Sequence, residues 1–78
     1  MRRFTFSRNR TITLRRGQSI ALFCGIALVT RRIRLRPGEF VTVTCDASPR
    51  TIIVACHSFV TRRRIHLRLG ERLIITCS

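Results

Sequence analysis

Four cysteines, two histidines, three acids and sixteen arginines are the side chains able to do chemistry in this 78-residue chain. Cys24, Cys45, Cys56 and Cys77 each close an apolar run, after Leu22, Val43, Val54 and Ile75. Each falls on the parity that faces a core, so the reading is a reduced thiol used as a small buried hydrophobe. Disulfides are the first alternative, because an even count in a tiny domain invites them. Zinc is the second, with no C-x-x-C pair to favour it. Cys56 beside His57 could form a thiolate pair, but neighbours on a strand point to opposite faces. Asp46, Glu39 and Glu71 are too few to supply an acid, a base and their supports. They are also too few to cage a hard cation. No enzyme activity, metal or cofactor is expected.

The arginines dominate what remains. Every basic residue is Arg, and the formal net charge is +13. Guanidinium is planar, weakly hydrated and forks onto phosphate, which suits it to polyanions better than an ammonium. A hydrophobic share of 45% is too high for a disordered basic tail. The longest apolar run, Ser19 to Val29, is too short to span a bilayer as a helix.

Spacing turns these arginines into rows. On an extended strand Arg32, Arg34 and Arg36 share one face, opposite Ile33 and Leu35. Arg64, His66 and Arg68 repeat the arrangement, with Arg31, Arg62 and Arg63 flanking. Arg15, near Arg8 and Arg10, forms a weaker third version. Alternate strand residues lie about 6.6 Å apart, a pitch that can follow a sugar-phosphate backbone. The competing reading is a solvated face that keeps sheet edges apart. The shortage of acids counts against it, since such surfaces usually mix signs. Base-specific reading is not expected. No helix suits a major groove, and no zinc-finger spacing is present. Of Phe4, Phe6, Phe23, Phe40 and Phe59, the first two share one face of the N-terminal strand beside Arg2, Arg3 and Arg8; core packing or strand pairing is the expected job, with base stacking the alternative.

The elements that must carry these rows come from a repeat. A shift of 32 residues lays Ser19–Asp46 on Thr51–Ser78 without a gap. Cys24 meets Cys56, Arg31-Arg32-Ile33 meets Arg63-Arg64-Ile65, and Gly38-Glu39 meets Gly70-Glu71. A shorter unit, Ile-x-Leu-Arg-x-Gly, begins at Ile12, Ile33 and Ile65. So many matches point to duplication. Period-two alternation with β-branched residues marks strands around Gly17, Gly38 and Gly70, which supply the turns. Apolar parity survives each turn, so hairpins there would need an odd loop or a bulge. Ser19–Val29 and Thr51–Val60 are apolar at both parities and read as central strands. Asp46–Arg50 has the composition of a linker. The chain is read as one all-β domain over 1–78: an N-terminal strand region 1–18, repeat one 19–46 and repeat two 51–78. About seven short strands should form a small barrel or sandwich with internal pseudo-twofold symmetry.

Two local resemblances accompany this reading. LRPGEFVTVTC resembles the turn-and-strand signature of small cupin-like β barrels, without their His and Glu metal ligands, so only architecture is implied. RLGERLIIT is similar to the opening strand and turn of the carbon storage regulator proteins, which implies a dimeric β RNA binder. The expected function is backbone-dominated binding of RNA or DNA by a viral, phage or ribonucleoprotein component, as a homo-oligomer or within a larger particle. Alternatives are a self-assembling coat, lining or cement subunit and a secreted cationic protein acting on membranes. The repeat of the apolar run in mid-chain argues against an N-terminal secretion signal. The expected location is therefore the cytoplasm or a particle.

Overall fold

Alternation of apolar and polar residues drives nearly the whole chain into extended structure. A computed structural model describes all 78 residues as eight strands with no helix. They are β1 (Arg2–Thr5), β2 (Arg10–Leu14), β3 (Ser19–Cys24), β4 (Val29–Leu35), β5 (Glu39–Cys45), β6 (Ser48–Cys56), β7 (Thr61–Leu67) and β8 (Glu71–Cys77). They form two four-stranded sheets, ordered β1-β3-β8-β4 and β2-β6-β5-β7.

Three sequence expectations change here. The N-terminal region holds two strands rather than one, and they join different sheets. The long apolar runs stop at Cys24 and Cys56, because Gly25 and His57 take positive φ (78° and 70°) and break the extension. Asp46–Arg50 is no linker: Asp46 and Ala47 turn the β5–β6 hairpin, and β6 begins at Ser48.

Neither half of the chain builds a sheet alone. In the first sheet β8, from the second half, lies between β3 and β4, antiparallel to one and parallel to the other. In the second sheet β5, from the first half, lies in the same way between β6 and β7. The registers correspond: Ile20 faces Ile75 and Val43 faces Ile52, while Arg31 faces Leu73 and Arg63 faces Val41. Adding 32 to a residue of the first half gives its counterpart across the molecule in each case.

The turns at Gly17, Gly38 and Gly70 are not hairpins. Each carries the chain from one sheet to the other, which explains why apolar parity survives them: both flanking strands aim residues of one parity at the same core, even around Gly17 and odd around Gly38 and Gly70. At Arg36-Pro37-Gly38-Glu39 the Glu39 N–H donates to the Arg36 carbonyl (2.9 Å), and Gly38 supplies the positive φ of 90°. Pro second and Gly third is the pattern of a type II turn. The Glu39 carboxylate then accepts the Arg36 backbone N–H at 2.6 Å. Glu71 does the same for Arg68 (2.6 Å) and Gln18 for Arg15 (2.8 Å).

Inward residues of both sheets form a single core cluster of 17 buried side chains, centred on Leu22, Leu35, Val41, Val43, Val54, Leu67, Leu73 and Ile75. Phe4 and Phe6 belong to it. The cysteines are not free thiols, contrary to the sequence reading. Cys24 is bonded to Cys45 and Cys56 to Cys77, with Cα separations of 5.5 and 5.2 Å. Each bond joins the end of a strand in one sheet to the end of a strand in the other. Inward parity brought the thiols into one core, and the sheet-to-sheet topology brought them within bonding distance. The bonds sit at opposite ends of the sandwich, since Cys24 lies beside Glu71 at the start of β8 and Cys77 at its finish. The sheets do not close into a barrel, and no helix is long and apolar enough to cross a membrane.

Candidate nucleic-acid interface

The two arginine-rich strands, β4 and β7, are both sheet edges. Strand parity sends Arg32 and Arg34 to the outer face of the first sheet, level with Ile74 and Thr76 of β8. It sends Arg62, Arg64 and His66 to the outer face of the second, level with Phe40, Thr42 and Thr44 of β5. Arg31 and Arg63 have core parity but stand where the core ends. Their side chains cross between the sheets instead. Arg31 Nη1 donates to the His66 carbonyl (3.3 Å), and Arg63 Nη1 donates to the Arg34 carbonyl (3.2 Å). These reciprocal bonds hold the two edges side by side. Arg31, Arg32, Arg34, Arg62, Arg63 and Arg64 thus form the rim of one flank, with Arg32 and Arg34 on one outer face, Arg62 and Arg64 on the other, and Arg31 and Arg63 bridging between the edges.

Little negative charge answers that rim. Glu71 lies 3.7 Å from Arg31, and the only other contact between an acidic and a basic side chain joins Asp46 to His66. Arg32, Arg34, Arg62, Arg63 and Arg64 have no carboxylate partner. Glu39 and Glu71 are engaged by their turn N–H groups. His66 bridges Asp46 and the Thr44 hydroxyl, which lies 2.7 Å from its Nδ1. This hydroxyl–imidazole–carboxylate order matches a nucleophilic triad. However, the His66 and Asp46 side chains are 55% and 51% exposed, and such sets work where water is excluded. The cluster instead anchors β7 to the β5–β6 turn.

Arg36, Arg68 and Arg15 do not join the rim. All three sit on the sheet-to-sheet turns at the ends of the sandwich. The Gly17 and Gly38 N–H groups bond the Cys77 and Cys56 carbonyls, while the Gly70 N–H bonds that of Cys24. Arg15 and Arg36 therefore lie at one end and Arg68 at the other.

The structure adds residues that spacing alone did not select. Phe40 and Phe59 pack as a tilted pair with centroids 5.5 Å apart, and the Arg62 guanidinium lies over Phe40 at 5.9 Å. Phe59 is 49% exposed, so an aromatic surface adjoins the rim. Arg72 lies over Phe23 at 5.7 Å and donates to the Thr30 hydroxyl. Arg2 and Arg10 both approach the Phe4 ring, at 4.9 and 5.0 Å, on the opposite flank. Phe40 was visible in sequence at outward parity on β5, but its meeting with Phe59 depends on the loop after β6 folding back.

The fold and site define a disulfide-braced β sandwich whose β4/β7 flank carries six arginines, with Arg2, Arg3 and Arg10 on the opposite edge strands. No protein-family model, curated protein or solved structure matches the chain.

Proposed function

We propose that the chain binds nucleic acid through its phosphate backbone, with the β4/β7 rim as the contact surface. One observation carries this reading: arginines from two different edge strands gather on one flank with almost no carboxylate to neutralise them. Like charges so placed repel, and a polyanion relieves that repulsion while releasing its own counterions. The Phe40–Phe59 pair beside Arg62 supports single strands over duplex, since bases can stack there without being read. The halves are read as copies of one duplicated unit, each contributing one edge of the rim. Outward arginines on β4 and β7 oppose edge pairing between bare copies. Copies therefore assemble only after nucleic acid neutralises them, as in a virion or ribonucleoprotein particle. The two disulfides fit a particle or an oxidising compartment rather than free life in reducing cytosol.

A fluorescent oligonucleotide titration over a salt series tests the reading. Six phosphate contacts give about a 10³-fold loss of affinity between 50 and 200 mM salt. Protein purified at low salt should carry nucleic acid that nuclease or salt removes. Protein indifferent to oligonucleotides at low salt overturns the reading.

A second reading has its own support. Ile26, Leu28 and Leu69 at one end of the sandwich are 83%, 84% and 67% exposed, and Val60 at the other end is 76% exposed. Apolar tips on a cationic, disulfide-linked body suit an anionic membrane surface. Co-sedimentation with anionic vesicles, but not with oligonucleotides, would select it.

A further inference from the structure

We propose that Cys56, His57 and Cys77 form a latent metal site that opens when their disulfide is reduced. The two sulfurs and an imidazole nitrogen of His57 lie within 4.8 Å of one another. Tetrahedral zinc, with Zn–S of about 2.3 Å and Zn–N of about 2.0–2.1 Å, needs its ligand atoms about 3.5–3.8 Å apart. Only small side-chain movements separate the reduced residues from that geometry.

The backbone gives a second, independent observation. His57 is the only non-glycine residue with positive φ. The Ser58 N–H donates to the Cys56 carbonyl at 2.9 Å, so His57 stands at the centre of a tight γ-turn with φ of 70°. That turn is the rare, strained hand, and strain of this kind is kept where a site requires it. It also removes the objection raised by strand alternation. Once the chain leaves the strand, the imidazole no longer points away from the Cys56 sulfur.

The other disulfide is an internal control. Gly25 occupies the matching place after Cys24, also with positive φ, and offers no ligand. There Leu69 covers the backbone, with its Cδ1 2.6 Å from where a Cβ would stand. Beside His57 the corresponding space is an opening lined by Arg16, Pro37, His57 and Ser78. That opening gives solvent access to His57.

The redox step balances with a dithiol reductant. Its two thiols close to a disulfide and supply two electrons and two protons. The Cys56–Cys77 sulfur–sulfur bond breaks to two thiols. Metal binding then displaces both thiol protons, and His57 coordinates as the neutral imidazole. The site is separate from the arginine rim, so the nucleic-acid reading and this one stand or fall apart.

Cobalt(II) reports the site, because thiolate ligation gives a charge-transfer band that other ligands lack. The test uses the full chain without nucleic acid, oxidised or reduced with a phosphine. The reduced protein should bind one cobalt ion with thiolate charge transfer, and the oxidised protein none. His57→Gly, which removes the ligand and relaxes the turn, should weaken binding at least 10–100-fold, the range set by losing even an outer partner. Equal affinity in His57→Gly, two equivalent sites per chain, or no binding overturns the proposal. If reduction unfolds the chain, zinc should restore its β signal in circular dichroism for the parent and not for His57→Gly. Recovery in both, or in neither, counts against it.

Discussion

Gly38 shows how one residue fixes a corner of this fold. Its φ of 90° is strained for any side chain, yet an added Cβ would meet only ordinary contacts with Val60 and Ser58. Gly38→Ala therefore costs backbone strain alone, about 1–2 kcal/mol. Glu39 acts at the same corner by accepting the Arg36 N–H. Glu39→Ala leaves that N–H to water and should cost about 1 kcal/mol, while Glu39→Gln keeps an acceptor and loses less. Urea denaturation checks both, with the midpoint falling and the slope unchanged. Both roles were half legible in sequence. Three recurrences of Gly followed by Glu or Gln marked a structural turn. What the carboxylate accepts from was not legible, because a pairing with an Arg side chain and a bond to an Arg backbone N–H leave the same pattern.

At the scale of strands, the β4/β7 rim separates arginines that the sequence treated alike. Alternation correctly set Arg32 and Arg34 against Ile33 and Leu35, since parity is local. It could not show that Arg36 and Arg68 leave with the turns, or that Arg31 and Arg63 cross to the facing sheet, because those depend on which strands become neighbours. The distinction has a measurable consequence. Arg32→Gln with Arg34→Gln should lower the salt slope of oligonucleotide binding by about two, roughly one per lost phosphate contact. Arg15→Gln with Arg68→Gln should change it little. If both pairs lower it equally, the contact surface is the whole molecule and not this flank. Phe59 tests the strand preference. Phe59→Ala should weaken single-strand binding by about 1–3 kcal/mol and leave duplex binding near its parent value. An equal loss for both would assign Phe59 to packing against Phe40.

The whole molecule is two interlocked halves, and its stability rests on that interlocking. The gap-free sequence matches read as a duplication, and a linear repeat of that kind suggests two adjacent lobes. The chain instead exchanges its last strand in each half, β5 and β8, into the other half's sheet. Hydrophobic alternation is satisfied equally by either arrangement, so sequence had no means of choosing. The same ambiguity hid the disulfides, since core parity describes a thiol and a half-cystine equally well. Their energetic weight is considerable. Each bond spans a sequence separation of 21 residues, which in the chain-entropy account stabilises the fold by about 3 kcal/mol. A core of this size supplies only about 3–5 kcal/mol net, against the self-repulsion of a +13 chain. Replacing Cys24 and Cys45 by Ala should therefore leave a marginal fold, and replacing all four cysteines an unfolded one. A polyanion that binds only the folded form should reverse part of that loss, adding about 2.7 kcal/mol at a hundredfold excess over its Kd. Thermal melts of the Cys24→Ala/Cys45→Ala chain, with and without oligonucleotide at low salt, measure this. The midpoint should rise with oligonucleotide and fall back as salt is added. A midpoint that ignores the oligonucleotide would mean that the arginine flank and the folded state are not thermodynamically linked.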